Sequence, residues 1–245
     1  MNIENSIAFV TGANRGIGLA FVEGLLAGGA RKIYAAVRDP AAIAALADLD
    51  PGRVVPVPLD VTKLDMVRAA AASHSDVTLL VNNAGIAKFA GLVADGHGDA
   101  ARDEMETNYF GALNMIRAFA PVLASNGGGA IINMASIASL VNFPVLGSYS
   151  ASKAAVHSMV QGVRSELAIQ GTHVLGVYPG PVDTRMAEPF PMEKTSPADV
   201  VNDIFEALEE GLEDVFPDKT ARELHAGLLG DPKAVEKQVG EMMPQ

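Results

Sequence analysis

Short runs of consecutive apolar residues alternate along this chain with longer segments in which apolar residues recur every three or four positions. The first run covers residues 6–10, a helical pattern follows at residues 19–26, and a second run covers residues 32–37. Short unbroken runs are typical of strands buried on both faces, whereas the three-to-four spacing is typical of helices. The chain therefore begins as strand, glycine turn, helix and strand, which is the start of a parallel α/β sheet.

The alternation continues towards the C-terminus and predicts the remaining elements. Ser196 and Pro197 suit the cap and the first position of a helix. No repeat, linker or low-complexity break divides the chain, so residues 1–245 are expected to form one α/β domain. We predict a Rossmann-type doubly wound parallel sheet of about seven strands with helices on both faces. Further strands are expected at residues 53–59, 77–81, 130–135, 172–178 and 214–217, and further helices at 40–49, 63–73, 100–124, 149–171, from 197 and from 219.

The composition excludes several classes of protein. With 245 residues, of which 49% are hydrophobic, the chain can bury one sizeable core. A formal net charge of -11 argues against a nucleic-acid partner, because no basic stripe is present to neutralise phosphates. The lack of cysteine excludes disulfides and thiolate catalysis, and the scattered histidines show no metal-ligand spacing, so no metal is expected. Neither a signal-peptide pattern nor an apolar window of about 18 residues is present, which predicts a cytoplasmic protein without a membrane partner.

Three glycines lie between the first strand and the first helix, at Gly12, Gly16 and Gly18. Glycines in this position permit a tight turn and close approach of the backbone to a diphosphate at the helix N-terminus. The spacing is G-x-x-x-G-x-G, and three glycines alone would fit a purely structural turn about as well. Their place between strand and helix favours dinucleotide binding.

The residues after the second strand bear on the choice of dinucleotide. A carboxylate there would bind the ribose hydroxyls of NAD, whereas an arginine accommodates the 2′-phosphate of NADP. The strand ends at Val37-Arg38, and Arg15 in the glycine turn could add a second cation. We therefore predict NADP(H), with NAD(H) less favoured. Two solvated surface arginines are the alternative, and Asp39 would reverse the preference if it pointed at the ribose.

Polar residues follow two later strands, where the strand ends of an open α/β sheet line the ligand crevice. Asn82 and Asn83 follow the fourth strand, and Ser136 follows the fifth. On local sequence alone, asparagines at a strand end are as often turn residues that satisfy backbone groups.

Tyr149 and Lys153 are four residues apart and so share one face of the predicted helix. A free tyrosine has a pKa near 10 and exchanges protons poorly at neutral pH, but a nearby ammonium favours the phenolate. An isolated pair of this kind is usually helix surface. In a water-excluded site with a second positive charge, it could form a proton donor.

The glycine turn, Asp60, residues 82–85, Asn108, Ser136, Tyr149, Lys153 and residues 179–184 occur together in this one chain. In that combination the segment from about Ile7 to Thr184 resembles the short-chain dehydrogenase/reductase family, in its single-domain form. The resemblance implies a Rossmann fold, a nicotinamide cofactor, and hydride transfer to or from a carbonyl or alcohol carbon.

The resemblance also implies roles for individual residues. Tyr149 would be the general acid in reduction, and Ser136 would hold the substrate oxygen. Lys153 would bind the nicotinamide ribose and lower the pKa of Tyr149, and Asn108 would hold a water that relays the proton. The cofactor-binding residues implied are Gly12, Asn14, Arg15, Gly16, Ile17, Gly18, Arg38, Asp60, Val61, Asn82, Ala84, Gly85, Tyr149, Lys153, Pro179, Gly180, Val182 and Thr184.

The expected function is therefore an NADP(H)-dependent oxidoreductase acting on the carbonyl or secondary alcohol carbon of a small, mainly apolar substrate. A non-catalytic NADP(H)-sensing protein and an epimerase or dehydratase of the same superfamily are the alternatives. The segment after Thr220 matches no motif and would fit helical packing or a partner surface. The apolar residues that could line the pocket, or equally the core, are Leu140, Val141, Phe143, Leu146, Tyr178, Phe190 and Met192.

Two of the predicted helices carry apolar residues on more than one face, whereas a helix that packs only on a sheet needs one stripe. This pattern, together with the resemblance, predicts a homodimer or homotetramer packed through these helices. The residues concerned are Met105, Tyr109, Leu113, Ile116 and Phe119 on the first helix, and Val156, Met159, Val160, Val163 and Leu167 on the second.

Overall fold

A parallel sheet forms the centre of the structure, a computed structural model that describes residues 1–93 and 98–242. In that part of the chain the sheet has seven strands in the order β3-β2-β1-β4-β5-β6-β7, and every neighbouring pair is parallel. The chain builds outwards from β1 to β3 and then returns to place β4 on the other side of β1, which confirms the doubly wound α/β fold. The strands are Ile7–Thr11 (β1), Lys32–Val37 (β2), Val54–Pro58 (β3), Leu79–Asn82 (β4), Ala130–Met134 (β5), His173–Val177 (β6) and Asp214–Val215 (β7).

Helices cover both faces of this sheet. Alternate residues of β1 point to opposite faces, so Ala8 and Val10 join one apolar cluster while Ile7 and Phe9 join the other. The first cluster includes residues of α1 and α7, and the second includes residues of α3, α5 and α6. The helices are Gly16–Ala27 (α1), Ile43–Ala47 (α2), Leu64–Ser73 (α3), Ala100–Glu104 (α4), Ala112–Ser125 (α5), Gly147–Leu167 (α6), Pro197–Glu210 (α7), Lys219–Gly230 (α8) and Pro232–Gly240 (α9).

The predicted helix at residues 100–124 is interrupted. A π-helical turn, Met105–Gly111, joins α4 to α5 and contains Asn108. Such turns are rare and frequently occur at functional sites. Nothing in the apolar spacing of the sequence indicated it, since one extra residue in a turn shifts that spacing only slightly.

Other boundaries differ in smaller ways. The helix predicted at residues 40–49 is a 3₁₀ turn followed by the short α2, because Asp39 caps the turn by accepting a hydrogen bond from Ala41 N. The last strand, β7, contains two residues. The cap predicted at Ser196 is confirmed, because its side chain accepts a hydrogen bond from Asp199 N and Pro197 is the first helical residue.

Most of the apolar residues that predicted an oligomer are covered within the protomer. Ile116 and Phe119 on α5, and Val156 and Val160 on α6, are buried in the cluster on that face of the sheet. The sheet and the neighbouring helices therefore account for these residues without a partner. Within the described residues, no helix is both long enough and apolar enough to cross a membrane.

Candidate active site

The turn between β1 and α1 can be built only from glycine at three positions. Gly12 and Gly16 have φ angles of +66° and +52°, in the left-handed region that favours glycine. A Cβ atom on Gly18 would overlap the carbonyl oxygen of Gly12. The turn therefore brings bare backbone and the free N–H groups of the α1 N-terminus to the cleft, which is the arrangement that binds a diphosphate.

Thr11 and Asn83 hold this turn against the end of β4. The Thr11 hydroxyl accepts hydrogen bonds from Asn83 N and Ala84 N, both at 3.0 Å, and donates to Val81 O at 3.1 Å. The Asn83 amide donates to Thr11 O at 2.9 Å. Asn83 is therefore part of the framework that fixes the glycine turn.

Asn82 does not border the cleft, contrary to the role that the sequence suggested. Its side chain is buried and donates to Asn133 Oδ1 in β5 at 2.9 Å. Successive side chains along a strand point to opposite sides, so the two neighbouring asparagines serve different partners. Cleft contacts from this segment come from Asn83, Ala84 and Gly85.

At the end of β2, Arg38 and Asp39 both border the cleft, but their side chains differ in what they contact. Asp39 Oδ1 accepts from Ala41 N at 2.9 Å and so caps the following turn. Within residues 1–93 and 98–242, the Arg38 guanidinium forms no ion pair. Arg38 is thus the cation of this strand end that remains able to meet an anionic group.

Asp60 also borders the cleft near Arg38. Its Oδ1 accepts hydrogen bonds from Thr62 N at 3.0 Å and Thr62 Oγ1 at 2.8 Å. Partial burial acts to raise the pKa of Asp60, but these hydrogen bonds and the charges of Arg38 and Lys63 outweigh it and hold the pKa below its usual value. The carboxylate is therefore ionised at neutral pH.

At the other end of the cleft, Ser136 lies two residues beyond the end of β5. Its hydroxyl accepts from Ala138 N at 3.1 Å, and its backbone N–H donates to Ser139 Oγ at 3.2 Å, so a reciprocal cap fixes its orientation. Tyr149 lies in the first turn of α6 and is partly exposed to the cleft. Burial raises the pKa of Tyr149, and the neighbouring Ser136 hydroxyl acts in the opposite direction.

Lys153, one turn further along α6, is buried beneath Tyr149. Its Nζ atom lies 5.7 Å from the centre of the Tyr149 ring and donates to Met134 O at 2.6 Å. Burial lowers the pKa of Lys153 to about 8. Burial also raises the pKa of Tyr149 to about 12. The sequence predicted that Lys153 would lower this pKa, but in the protein without cofactor the effect of burial is larger.

Asn108 lies in the π-helical turn and is buried, and its side chain does not border the cleft. Its amide donates to Ile86 O and to Ser152 Oγ, both at 2.9 Å, and its Oδ1 accepts from Ile86 N at 2.8 Å. Both amide N–H groups are therefore occupied. The side chain binds the backbone of Ile86, next to Gly85 and below Lys153.

The Pro179–Thr184 segment borders the cleft, with Thr184 lying next to Gly16 of the glycine turn. Pro179 O accepts from Ile137 N at 3.1 Å, which connects the segment to Ser136. Gly180 N donates to Asp218 Oδ2 at 2.7 Å, and Asp218 Oδ1 also accepts from Ala221 N at 2.8 Å. The buried Asp218 thus joins this segment to α8, a contact that no sequence motif indicated.

The cleft has a volume of about 2080 Å³ and brings the two ends of the site together. Of the predicted pocket residues, Phe143, Leu146, Phe190 and Met192 border it, whereas Leu140, Val141 and Tyr178 do not. Tyr178 is core, with its hydroxyl 2.8 Å from His157 Nδ1. The C-terminal helices, for which the sequence offered no role, form one wall through Leu224 and Val239. The predicted cofactor and catalytic residues that border the cleft are Gly12, Asn14, Arg15, Gly16, Ile17, Gly18, Arg38, Asp60, Val61, Ala84, Gly85, Ser136, Tyr149, Lys153, Pro179, Gly180, Val182 and Thr184.

Comparison with known proteins agrees with this geometry. The family model for short chain dehydrogenase matches residues 6–195. A solved short chain dehydrogenase from Burkholderia cenocepacia, in complex with NADP, is 45% identical, with 100% of both chains covered and a TM-score of 0.93. A short chain dehydrogenase/reductase from Burkholderia phymatum, in complex with NAD, is 26% identical, with 94% of this chain and 96% of that chain covered and a TM-score of 0.82. Galactitol 2-dehydrogenase (L-tagatose-forming) from Cereibacter sphaeroides is 35% identical over 190 residues, which are 75% of this chain and 74% of that protein.

Proposed function

This chain belongs to the short-chain dehydrogenase family of oxidoreductases, and we propose that it is an NADP(H)-dependent member acting on a small, mainly apolar carbonyl or secondary alcohol substrate. The observation that carries the proposal is that one cleft joins the glycine turn at the α1 N-terminus to Ser136, Tyr149 and Lys153. A dinucleotide bound along the glycine turn would extend towards the three side chains suited to carbonyl chemistry.

The residues present fit a nicotinamide dinucleotide. A side chain at Gly12, Gly16 or Gly18 would meet Ala84, Thr184 or Gly12 O respectively, so only glycine lets this turn bring bare backbone to the cleft, where the N–H groups of the α1 N-terminus would bind a diphosphate. When bound, the nicotinamide supplies or accepts the hydride, and the protein supplies orientation and electrostatics. Lys153 would hold the ribose next to the nicotinamide, exchanging its bond to Met134 O for ribose hydroxyls.

Proton transfer falls to Tyr149. During reduction, negative charge develops on the carbonyl oxygen, and the Ser136 and Tyr149 hydroxyls would converge on that oxygen as donors. Tyr149 then gives up its proton to the oxygen, and Ser136 stabilises the resulting phenolate. Because burial alone raises the pKa of Tyr149 to about 12, efficient transfer requires positive charge close to the phenol. The Lys153 ammonium and the cationic oxidised nicotinamide are the groups available for this.

Arg38 supports NADP(H) over NAD(H). The guanidinium borders the cleft without an ion pair among the described residues, whereas Asp39 is engaged as a cap. A charge-assisted hydrogen bond contributes about 1.5–3 kcal/mol, or roughly 10- to 150-fold in affinity. Arg15 adds a smaller contribution, because charges in exposed loops are screened. One solved relative is in complex with NADP and another is in complex with NAD, so this preference is argued from the residues of this chain.

The preference is tested by titrating NADPH and NADH into wild type and Arg38→Ala. We expect wild type to bind NADPH at least tenfold more tightly, and the variant to lose most of that difference while keeping its NADH affinity. Equal affinities in wild type, unchanged in the variant, would mean that Arg38 is a surface residue without a role in binding.

The substrate class follows from the wall opposite the nicotinamide end. Phe143, Leu146, Phe190 and Met192 make this wall mainly apolar, as do Leu224 and Val239 from the C-terminal helices. Such lining favours ketones, aldehydes or secondary alcohols with a compact apolar group. A panel of carbonyl compounds with NADPH, including a ketose, tests this by the loss of reduced-nicotinamide absorbance. Turnover of polar sugars in preference to apolar ketones would contradict the proposed class.

We also propose a homodimer or homotetramer in the cytoplasm. In the segment from α4 to α5 and in α6, the oligomer is supported only by apolar residues that remain exposed in the protomer. The main one is Phe110, which is 43% exposed. Light scattering on the active protein tests this. An active species near the protomer mass of 25.4 kDa at micromolar concentration would exclude it.

A further inference from the structure

Glu104, the last residue of α4, is a fully buried carboxylate. Its Oε1 accepts a hydrogen bond from Lys88 N at 2.6 Å. Its Oε2 is shielded from solvent and has no hydrogen-bond partner among the described residues. A carboxylate with so little compensation is expensive to bury, so its presence next to a reactive site calls for a functional reason.

The cationic side chains described around α4 form no ion pair with Glu104. Lys88, whose backbone N–H bonds Glu104, has its ammonium at the surface, paired with Asp103 at 3.2 Å. Arg102 lies near Asp99 at 3.8 Å, also at the surface. α6 packs against α4, and the titratable residues in the first two turns of α6 are Tyr149 and Lys153, of which Lys153 donates to Met134 O. Within the described residues, no cation lies within 4 Å of Glu104.

We propose that Glu104 is a positioning residue that keeps the Tyr149 phenol protonated and so extends carbonyl reduction to higher pH. The geometry places the buried Glu104 side chain on the helix that packs beside the first turn of α6. The direction of the effect agrees, because after burial the charge of Glu104 is the further influence that raises the pKa of Tyr149, against the opposite effect of the Ser136 hydroxyl.

A purely structural role is the competing explanation. Glu104 and Asn108 lie one turn apart and together hold the backbone of Ile86 and Lys88, which runs along the cleft. Loss of this support would lower activity without any electrostatic effect. The test must therefore separate the charge of Glu104 from its hydrogen bond to Lys88 N.

Glu104→Gln makes that separation, because it removes the charge and keeps an oxygen acceptor of similar reach. The inference rests on the proposed function, so the first readout is the pH dependence of kcat/KM for NADPH-linked carbonyl reduction. Reduction is lost as pH rises through the pKa of the proton donor, so a lower pKa moves this alkaline limb to lower pH. We expect a shift of about one pH unit, typical of a nearby buried charge.

Three further variants serve as controls. Glu104→Asp keeps the charge but shortens the side chain, and should leave the alkaline limb where wild type has it. Glu104→Met, a second neutral variant, should move the limb in the same direction as Glu104→Gln and replaces it if that variant fails to fold. Glu106→Gln neutralises an exposed carboxylate two residues away and should move nothing. An unmoved limb in the neutral variants, with or without loss of rate, would overturn the inference.

A second readout does not depend on turnover. Protein labelled with 3,5-difluorotyrosine, a more acidic phenol, allows the Tyr149 resonance to be assigned by its loss in Tyr149→Phe and titrated by ¹⁹F NMR without cofactor. The neutral variants should titrate at lower pH than wild type by a similar amount. If the labelled phenol shifts but no carbonyl compound is reduced, the proposed function fails and this inference stands. If wild type reduces carbonyls but neither readout shifts, the inference alone fails.

Discussion

Removal of the Asp218 side chain should destabilise the protein by more than the loss of a helix cap. Asp218 is buried, and its two oxygens accept from Gly180 N in the cofactor segment and from Ala221 N in α8. Asp218→Ala therefore leaves two backbone donors without a protein partner. A matched control exists in the same region, because Asp231 caps α9 by accepting from Ala234 N at 3.0 Å but is itself exposed.

The expected magnitudes follow from this difference in burial. An unpaired buried donor costs about 1–3 kcal/mol, which applies in full to Ala221 N in Asp218→Ala, and the partly buried Gly180 N adds a smaller loss. Loss of an exposed cap costs about 0.5–2 kcal/mol, because water can reach the freed N–H of Ala234 in Asp231→Ala. Asp218→Asn keeps one oxygen, which is sufficient to cap α8. Its loss of stability should therefore lie between the losses of Asp218→Ala and Asp231→Ala. It should also weaken nucleotide binding, because the bond to Gly180 is the one it loses.

Urea unfolding of the three variants and wild type, followed by circular dichroism, measures these differences. We expect the free energy of unfolding of Asp218→Ala to lie at least about 1 kcal/mol below that of Asp231→Ala. Equal losses in the two alanine variants would show that the link between Asp218 and Gly180 contributes nothing, and the connection between the cofactor segment and α8 would then be incidental.

Three more outcomes follow from the site. Tyr149→Phe should lower reductive turnover by about 10²–10⁴ while leaving NADPH affinity nearly unchanged, and retention of more than a tenth of wild-type rate would exclude the phenol as the acid. Because burial lowers the pKa of Lys153 from 10.5 to about 8, the unfolded chain binds an extra proton between these pH values and folding gains stability as pH rises through them. The stability of wild type relative to Lys153→Met should therefore rise by up to about 3 kcal/mol between pH 7 and 10.5, and a flat difference would contradict the burial of an ammonium. Gly18→Ala should abolish nucleotide binding or folding, since its Cβ would overlap Gly12 O, and normal nucleotide affinity would show that the turn can rearrange.

The parts of the site that sequence reasoning placed correctly depend on local geometry. The glycine turn follows from a strand, three glycines and a helix in immediate succession, and Tyr149 and Lys153 share a face because helix spacing places them there. Such relations are contained within a few residues. The parallel sheet likewise follows from the regular alternation of strands and helices, because parallel strands need crossover connections.

The parts it misplaced depend on which residues meet across the sheet. Asn82 and Asn83 are adjacent in sequence, but one pairs with β5 and the other supports the glycine turn, and only the register of β4 decides which. Asp218 meets Gly180 across 38 positions of sequence, through β7, which has two residues. No local spacing encodes either contact. For the same reason the C-terminal helices could not be assigned to the cleft wall.

The sheet changes winding direction between β1 and β4, and this point divides the cleft-lining residues into two groups. Arg38 and Asp60, which we propose for the adenosine end of the cofactor, follow β2 and β3 on one side of that point, whereas Ser136, Tyr149 and the apolar wall belong to segments on the other side. On the proposed roles, the residues that select the nucleotide and those that select the substrate lie in separate stretches of the sequence. Exchange of residues 32–62 for those of an NAD-binding relative would leave the substrate wall intact, so selection can retune one choice without first undoing the other.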